Sequence, residues 1–297
     1  MTSLVLMPYC PGSIGEQVVQ VPFLRFLREV SGADPIVGLV PTESGGVIES
    51  LGLLDESIQM PVRGGPAEAA AAWSAVRRRR FDRVYHLRRK SLRLLLLARA
   101  ATNAPVTGFE HGVNRSFQHE SIRFDTQSYV AENYVRLLGR SLADFAAGSP
   151  RRPDGSVLVI PGGLTEVKRF PLESYAQVAE RLAARGRVRF LLGPGAPAER
   201  EFLAGRGLET TRAPSMLEIE TLVLGSSLVI ANDCGPAHFA HIHDVPRLSL
   251  FDRSVDHEHW FWAGSRGHLC LSAGPGRLGE IRVDDVVTRA ASILAGA

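Results

Sequence analysis

The sequence has few cysteines and no long apolar run. Only three of its 297 residues are cysteine (Cys10, Cys234 and Cys270), and none belongs to a C-x-x-C pair. This spacing argues against a disulfide framework or a structural zinc site and indicates a reducing compartment. No run of 18 apolar residues occurs, so we expect no membrane-spanning helix. The first ten residues lack the basic segment of a signal peptide and predict a strand instead.

A large excess of charge is also missing. The 34 basic residues exceed the 31 acidic ones by only three, although arginines cluster at residues 77–80 and 88–93. We interpret these clusters as solvated helix ends and loops, with attraction to an anionic acceptor or membrane surface as the alternative. Aromatic residues are scarce between them, so we expect no nucleic-acid partner. The expected location is the cytoplasm, and weak peripheral contact with the inner membrane face stays open.

Short apolar runs alternate with longer helical patterns, which is typical of an α/β fold with parallel strands. The predicted strands are residues 4–7, 36–40, 84–87, 105–109, 157–160, 188–192, 228–231 and 247–251. A segment rich in Pro, Gly and charge at 146–156 interrupts the alternation. We therefore predict two doubly wound, Rossmann-like domains, 1–150 and 151–297. The ligand site is expected beyond the carboxyl ends of the strands, in the cleft between the domains.

The first glycine-rich turn follows the first predicted strand. Its sequence PGSIGEQ, residues 11–17, allows a tight turn into a helix but lacks the complete G-x-G-x-x-G fingerprint. Glu16 directly follows Gly15, where its carboxylate could take a proton from a hydroxyl nucleophile. The alternative is that Glu16 only complements the helix dipole.

Two segments of the second half are suited to a diphosphate. The loop KRFP, residues 168–171, places the cation of Lys168 before a helix start, where it could neutralise a leaving group. In NDCGPAH, residues 232–238, a strand runs into a helix whose free amides and dipole favour an anion. His238 lies one turn into that helix, where it could reach a transferred sugar or be a core histidine with a local partner.

Two other chemistries are weaker alternatives for the same segment. Cys234 stands at a helix start, a position that lowers thiol pKa and favours a thiolate nucleophile, but no orienting third residue accompanies it. His238, His241 and His243 could be metal ligands, but their spacing matches no zinc motif. We therefore predict no metal site.

Three segments stand in the order and spacing of a known family: GEQVVQVP at 15–22, KRFP at 168–171 and NDCGPAH at 232–238. They resemble glycosyltransferase family 9, the bacterial heptosyltransferases that extend lipopolysaccharide from ADP-heptose. Residues 81–109 also resemble the strand-helix-strand of that family. The resemblance implies a GT-B fold and an inverting, metal-independent transfer from an ADP-linked sugar, heptose in this family, to an acceptor hydroxyl. The ADP-sugar is then a co-substrate, and no resident cofactor is expected.

The resemblance also assigns roles by position. Glu16 replaces the catalytic aspartate of the family, Lys168 contacts the diphosphate, and Glu199 contacts the ribose. The expected donor-binding residues are Gly15, Lys168, Glu199, Asp233, Cys234, Gly235, Pro236 and His238. Acceptor-side candidates on the polar loop after residue 109 are His111, Arg115 and His119. The implied partners are a nucleotide-sugar donor and a glycan or other hydroxyl-bearing acceptor, with an anionic acceptor left open.

The sequence departs from the family at three places that bear on acceptor and sugar. The side chain of Glu16 is one methylene longer than the family's aspartate, and Cys234 stands where the family has Ser or Thr. Residues 252–260 read DRSVDHEHW where the family usually reads G-P-T-D-P. Two other functions therefore stay open. One is a sugar-nucleotide or glycan binder without turnover, and the other is an epimerase or hydrolase of the same fold. A dinucleotide oxidoreductase is not expected, because neither glycine-rich turn carries the full fingerprint.

Overall fold

The computed structural model describes residues 1–7, 14–41, 46–61, 65–163, 169–193, 195–213 and 215–296. The chain divides into two compact α/β units. Unit 1 comprises Met1–Thr126 and Val130–Leu142, and unit 2 comprises Gln127–Tyr129 and Ala143–Ala297. The last change of unit thus falls after Leu142, whereas the sequence predicts it after residue 150.

A six-stranded parallel sheet forms the centre of unit 1. Its strands are β1 (Ser3–Leu6), β2 (Ile36–Val40), β3 (Glu56–Gln59), β4 (Arg83–His86), β5 (Val106–Phe109) and β6 (Glu120–Ile122). They are ordered β3-β2-β1-β4-β5-β6, which is the order of a dinucleotide-binding Rossmann sheet. The direction of winding reverses between β1 and β4, where Leu6 pairs with His86.

Unit 2 repeats this plan. Its strands are β7 (Val157–Ile160), β8 (Val188–Leu191), β9 (Glu209–Thr211), β10 (Leu228–Asn232), β11 (Arg247–Phe251) and β12 (Gly267–Leu271). The order is β12-β11-β10-β7-β8-β9, so the winding reverses between β7 and β10. Numbered from the first strand of the unit, this is again the order 3-2-1-4-5-6.

Helices connect the strands in both units. The helices before residue 148 are α1 (Ile14–Val18), α2 (Val21–Ser31), α3 (Val47–Ser50), α4 (Pro66–Arg77), α5 (Leu92–Ala101), α6 (Val130–Arg136) and α7 (Leu142–Ala147), the last of which spans the change of unit. Those of unit 2 are α8 (Leu172–Leu182), α9 (Pro197–Gly205), α10 (Met216–Gly225), α11 (Ala237–Ile242), α12 (His257–Trp260) and α13 (Val283–Ala295). In the described ranges, no helix has both the length and the apolar character needed to cross a bilayer.

Each unit has its own hydrophobic core. In unit 1 the core joins β1, β2 and β4 to α4 and α5. In unit 2 it joins β7, β8, β10 and β11 to α8 and the last helix, α13. The apolar runs that predict strands are the parts of the sequence that these cores bury. The predicted doubly wound α/β architecture is therefore confirmed.

Candidate active site

The reversal point of the unit 2 sheet brings two loops together. β7 ends at Ile160 and is followed by the dipeptide Gly162-Gly163, and the neighbouring β10 ends at Asn232. A Cβ atom on Gly162 would lie 3.9 Å from Cβ of Cys234, so the two loops are within van der Waals reach. Ligands of open α/β sheets bind in the crevice at such a reversal point.

Asn232 holds these loops in place. Its side-chain Nδ2 donates hydrogen bonds to the carbonyl oxygens of Pro161 (3.0 Å) and Gly162 (3.1 Å). Its Oδ1 accepts from the backbone N–H of Phe170 (3.1 Å) and from the hydroxyl of Tyr175 (2.8 Å). Asn232 is the last residue of β10, and its side chain is directed to the β7 loop.

The turn that follows Asn232 is half-buried over residues 233–236. The carbonyls of Cys234, Gly235 and Pro236 accept hydrogen bonds from the first three N–H groups of α11. Those three helix amides are therefore already used within the chain. A diphosphate above this turn would have to bind the amides of residues 233–235 themselves.

His238 is buried, with only 3% of its surface exposed. Its Nδ1 lies 2.9 Å from the hydroxyl of Tyr129, a residue of unit 2. Burial raises the pKa of Tyr129 well above its usual value, so this hydroxyl is protonated and can donate to the imidazole. The Tyr129 ring also stacks on His241 at 5.7 Å. Tyr129 is thus the local partner expected if His238 is a core histidine. Contact between His238 and a sugar stays a prediction.

The other two histidines considered as possible metal ligands also have partners within the chain. Burial lowers the pKa of His241 well below its usual value, and its Nδ1 accepts a hydrogen bond from the backbone N–H of Trp262 (3.2 Å). His243 lies 2.6 Å from the Glu220 carboxylate and 2.5 Å from the Ser149 hydroxyl. Across the part of the chain that the structure describes, no three His, Cys, Asp or Glu side chains form a metal-binding group.

Glu16 lies at the corresponding reversal point of unit 1. It is half-buried in the first turn of α1, the helix that follows β1, and Gly15 before it is buried. The backbone carbonyl of Glu16 accepts a hydrogen bond from Nε2 of Gln20 at 2.6 Å. This position fits both interpretations of the carboxylate, the general base and the complement of the helix dipole.

The acceptor-side candidates separate into two places. His111 and Arg115 are exposed after the carboxyl end of β5, and Arg115 belongs to a 3-10 helix, Gly112–Phe117. His119 instead accepts a hydrogen bond on Nδ1 from the backbone N–H of Val106 (3.0 Å), the first residue of β5. The structure therefore does not bring His119 together with the other two candidates.

Three polar residues that the sequence pattern does not single out anchor this acceptor-side loop. Nδ2 of Asn114 donates to the carbonyl of Arg89 (2.7 Å), and Nε2 of Gln118 lies 3.3 Å from Nδ1 of His86. Burial lowers the pKa of His86 to about 4, so its ring is neutral at pH 7. No sequence signal marks these contacts, because single polar residues in a loop are ordinarily solvated.

A small cavity, with room for about one water molecule, opens at the carboxyl edge of the unit 1 sheet. Apolar side chains and one arginine line it: Met7, Leu39, Val40, Pro41, Met60, Leu94 and Arg88. It is much smaller than a ligand-binding pocket, so it does not identify an acceptor.

Comparison with known families shows what the second half of the chain is similar to. Residues 139–275 match the model of glycosyltransferase family 9 (heptosyltransferase). We call this matched segment the family 9 domain. This domain contains the reversal point between β7 and β10 and the whole NDCGPAH segment, so the resemblance expected from the sequence is confirmed.

Relatives of the family 9 domain agree with this assignment. The lipopolysaccharide heptosyltransferase 1 of Pseudomonas aeruginosa is 32% identical over 152 residues, which are 50% of this chain and 41% of that protein. The match thus spans less than half of the curated relative. The E. coli heptosyltransferase WaaC, solved with ADP, is 16% identical and has a TM-score of 0.75 over 99% of this chain and 100% of its own. A family 9 glycosyltransferase from Veillonella parvula is 17% identical, with a TM-score of 0.75 over 100% and 97%. These structures confirm the predicted GT-B fold class.

Two further predicted donor residues, Glu199 and Lys168, belong to the family 9 domain. Glu199 is half-buried in the first turn of α9, the helix after β8, and β8 adjoins β7 in the sheet. An acid after the second strand of a Rossmann unit is where a ribose is held. Lys168 lies outside the described residues. Its neighbour Arg169 donates a hydrogen bond from Nε to the carbonyl of Gly163 (2.9 Å), at the β7 loop.

Cys234 of the family 9 domain is not a thiolate. Burial raises the pKa of its thiol to about 12, outweighing the hydrogen bond from the Ala237 N–H, so the group is protonated at pH 7. The raised pKa argues against the thiolate-nucleophile alternative, because desolvation in the half-buried turn opposes the charge that a helix start would stabilise.

We expect Cys234 to resist alkylation at neutral pH for the same reason. Its reaction with iodoacetamide should be much slower than that of a free cysteine, because only the thiolate reacts, and should accelerate as the pH rises towards 12. Residue-resolved mass spectrometry measures this rate, with Cys234→Ser as the assignment control. Fast labelling of Cys234 at pH 7 in the folded protein would contradict the raised pKa.

Proposed function

We propose that this chain is a glycosyltransferase that moves a sugar, heptose, from an ADP-linked donor to an acceptor hydroxyl. The observation that carries the proposal is the family 9 domain with its two reversal-point loops tied together by Asn232. A curated relative that is a lipopolysaccharide heptosyltransferase, and a structural neighbour solved with ADP, support the choice of donor.

In the proposed complex the diphosphate binds the amides of residues 233–235 and the ammonium of Lys168. Glu199 binds the ribose hydroxyls, and His238 faces the sugar. The buried packing of His238 requires that its ring reach the sugar through Nε2, since Nδ1 is engaged by Tyr129. Cationic and amide donors neutralise the diphosphate as it leaves, so the reaction needs no metal ion and no resident cofactor.

The proposed transfer inverts the anomeric carbon. The acceptor oxygen attacks that carbon from the face opposite the diphosphate, and the bond between the carbon and the diphosphate oxygen breaks. The electron pair leaves with ADP, and the acceptor proton passes to the Glu16 carboxylate. The acceptor is proposed to be an anionic glycan or a similar hydroxyl-bearing molecule. The basic residues at 88–93 support this choice. Peripheral contact with a membrane is part of the same proposal.

A thermal-shift screen against nucleoside diphosphates tests the donor class. ADP at 100 times its dissociation constant should add about 2.7 kcal/mol to the free energy of unfolding. Release of ADP from ADP-heptose that requires an acceptor then identifies a transferase. Binding without release would favour the binder without turnover, and consumption of the donor without an acceptor would favour the epimerase or hydrolase.

Lys168→Ala should weaken ADP binding by about 1.5–3 kcal/mol, the usual contribution of a hydrogen bond to a charged group. Titration calorimetry measures the change. The chain has only two lysines, Lys90 and Lys168, so Lys90→Ala is a matched control that should bind ADP as the wild type does. Excess EDTA should change neither binding nor transfer. Loss of either on chelation would contradict the metal-free mechanism.

A further inference from the structure

The two arginine clusters of unit 1 lie at opposite edges of its sheet. Residues 77–80 precede β4, and residues 88–93 follow its last residue, His86. Only the second cluster is therefore at the carboxyl edge, together with the 3-10 helix Gly112–Phe117. Five Arg or Lys residues (88, 89, 90, 93 and 115) and one acid, Glu110, belong to these carboxyl-edge segments, a net charge of +4. The whole chain carries +3, so the rest of the sequence is net negative.

The basic segments at this edge are joined into one surface. Helix α5 packs against the 3-10 helix Gly112–Phe117, and Asn114 ties that helix to the carbonyl of Arg89 at 2.7 Å. Lys90 and Arg93 are exposed beside the start of α5. The Arg115 side chain is 73% exposed on the 3-10 helix and forms a surface ion pair with Glu110 at 4.0 Å, which is weak in water.

Large apolar side chains are exposed on the same two elements. Leu96 of α5 is 41% exposed, and Val113 and Phe117 of the 3-10 helix are 61% and 39% exposed. Basic residues mixed with exposed apolar ones are the composition of segments that lie at a membrane interface. The α5 surface is defined here as Lys90, Arg93, Leu96, Val113, Arg115 and Phe117.

We infer that the α5 surface docks on an anionic phospholipid bilayer. The cationic groups bind headgroup phosphates, while Val113, Phe117 and Leu96 enter the boundary between headgroups and acyl chains. A soluble anion would leave these apolar side chains in water, which favours a bilayer over a free glycan. A symmetric pair of such surfaces would oppose two clusters of like charge, which disfavours a second copy as the occupant. The inference deepens the membrane contact of the proposed function, but its test requires no sugar transfer.

Sedimentation of the full chain with vesicles tests this inference. The protein should bind vesicles of mixed phosphatidylcholine and phosphatidylglycerol and should not bind pure phosphatidylcholine. Binding should weaken as salt is added, because ions screen the attraction between the exposed cations and the headgroups.

Paired substitutions separate the two contributions. Lys90→Gln with Arg115→Gln should lower the partition coefficient about 25-fold, since each cation near an anionic surface contributes about fivefold. Val113→Ser with Phe117→Ser should lower it about tenfold through lost apolar burial. The matched controls are Arg77→Gln with Arg80→Gln at the opposite edge, and Phe202→Ser with Leu217→Ser, exposed apolar residues of unit 2. Both controls should bind vesicles as the wild type does.

Three results would overturn the inference. They are wild-type protein that ignores anionic vesicles, surface variants that bind as the wild type does, and controls that lose as much binding as the surface variants. Self-association that disappears in the Val113 and Phe117 variant, without vesicle binding, would also overturn it. Thermal shifts with ADP on the same proteins distinguish the membrane inference from the proposed donor site. A loss of ADP binding would contradict the donor site and would leave the vesicle result unaffected.

Discussion

Replacing Glu16 by glutamine should lower turnover by about 10²–10⁴-fold, the usual contribution of a general base. A sugar hydroxyl is too weakly acidic to attack unaided at neutral pH, and glutamine keeps the shape of the side chain while removing its basicity. Acceptor-dependent release of ADP measures the effect. The affinity for ADP should not change, because Glu16 belongs to unit 1 and the family 9 domain with its donor residues begins at residue 139.

Glu16→Asp is the matched control for this experiment. It restores the residue that the family uses and keeps a carboxylate, so it should retain far more activity than the glutamine variant. Turnover of the glutamine variant within a few-fold of wild type would make Glu16 a residue that only complements the helix dipole. The base would then have to be sought on the acceptor-side loop, at His111 or Asp125. His119 is less suited, because its Nδ1 already accepts from Val106.

Removing the side chain of Asn232 should destabilise unit 2 by about 3–5 kcal/mol. Asn232→Ala leaves the buried N–H of Phe170 and the buried hydroxyl of Tyr175 without their partner, and each buried group left unpaired costs about 1–3 kcal/mol. The carbonyls of Pro161 and Gly162 also lose their donor but are accessible to water. Tyr175 is fully buried, and this burial raises the pKa of its hydroxyl well above the usual value. Water therefore cannot replace the hydrogen bond that the Tyr175 hydroxyl loses.

Tryptophan fluorescence during urea unfolding can follow each unit separately. The chain has three tryptophans, with Trp73 in unit 1 and Trp260 and Trp262 in unit 2. In a Trp73→Phe background, Asn232→Ala should move the unit 2 transition to lower urea. In a separate background that carries Trp260→Phe and Trp262→Phe, the Trp73 signal of unit 1 should stay in place. Tyr175→Phe removes one bond of the four and should cost about 1 kcal/mol. An Asn232→Ala protein as stable as this control would show that Asn232 does not hold the two loops together.

The sequence predicts the interior of both sheets and misses their edges. The eight predicted strands are the four central strands of each sheet, whose apolar runs are buried. The four strands without a prediction, β3, β6, β9 and β12, are the outermost strands. They include the polar sequences ESIQ, ESI and ETT, because an edge strand has a neighbour on one side only and buries less of its surface. The hydrophobic pattern of a sequence reflects burial, so it weakens in strands that bury less of their surface.

The candidate site is predictable only in part for a related reason. The strand-to-helix turn at residues 233–236 follows from local sequence, since an apolar run, polar residues, glycine and proline mark it. The tie from Asn232 to Pro161 and Gly162 joins residues about 70 positions apart, and the contact between His86 and Gln118 joins residues 32 positions apart. A side chain that bonds across the fold has no period along the chain. The raised thiol pKa of the half-buried Cys234, which opposes the expectation from its helix start, is likewise a property of packing.

The tripeptide Gln127–Tyr129 has a consequence for any exchange of segments between relatives of this protein. The chain passes from one unit to the other three times, after Thr126, after Tyr129 and after Leu142. Unit 2 is therefore encoded by two separate stretches of the gene. A chimaera joined at residue 142 would take Tyr129 from one parent and its partner His238 from the other. Parents that differ at either residue would lose the hydrogen bond between them, even though each parent folds correctly by itself.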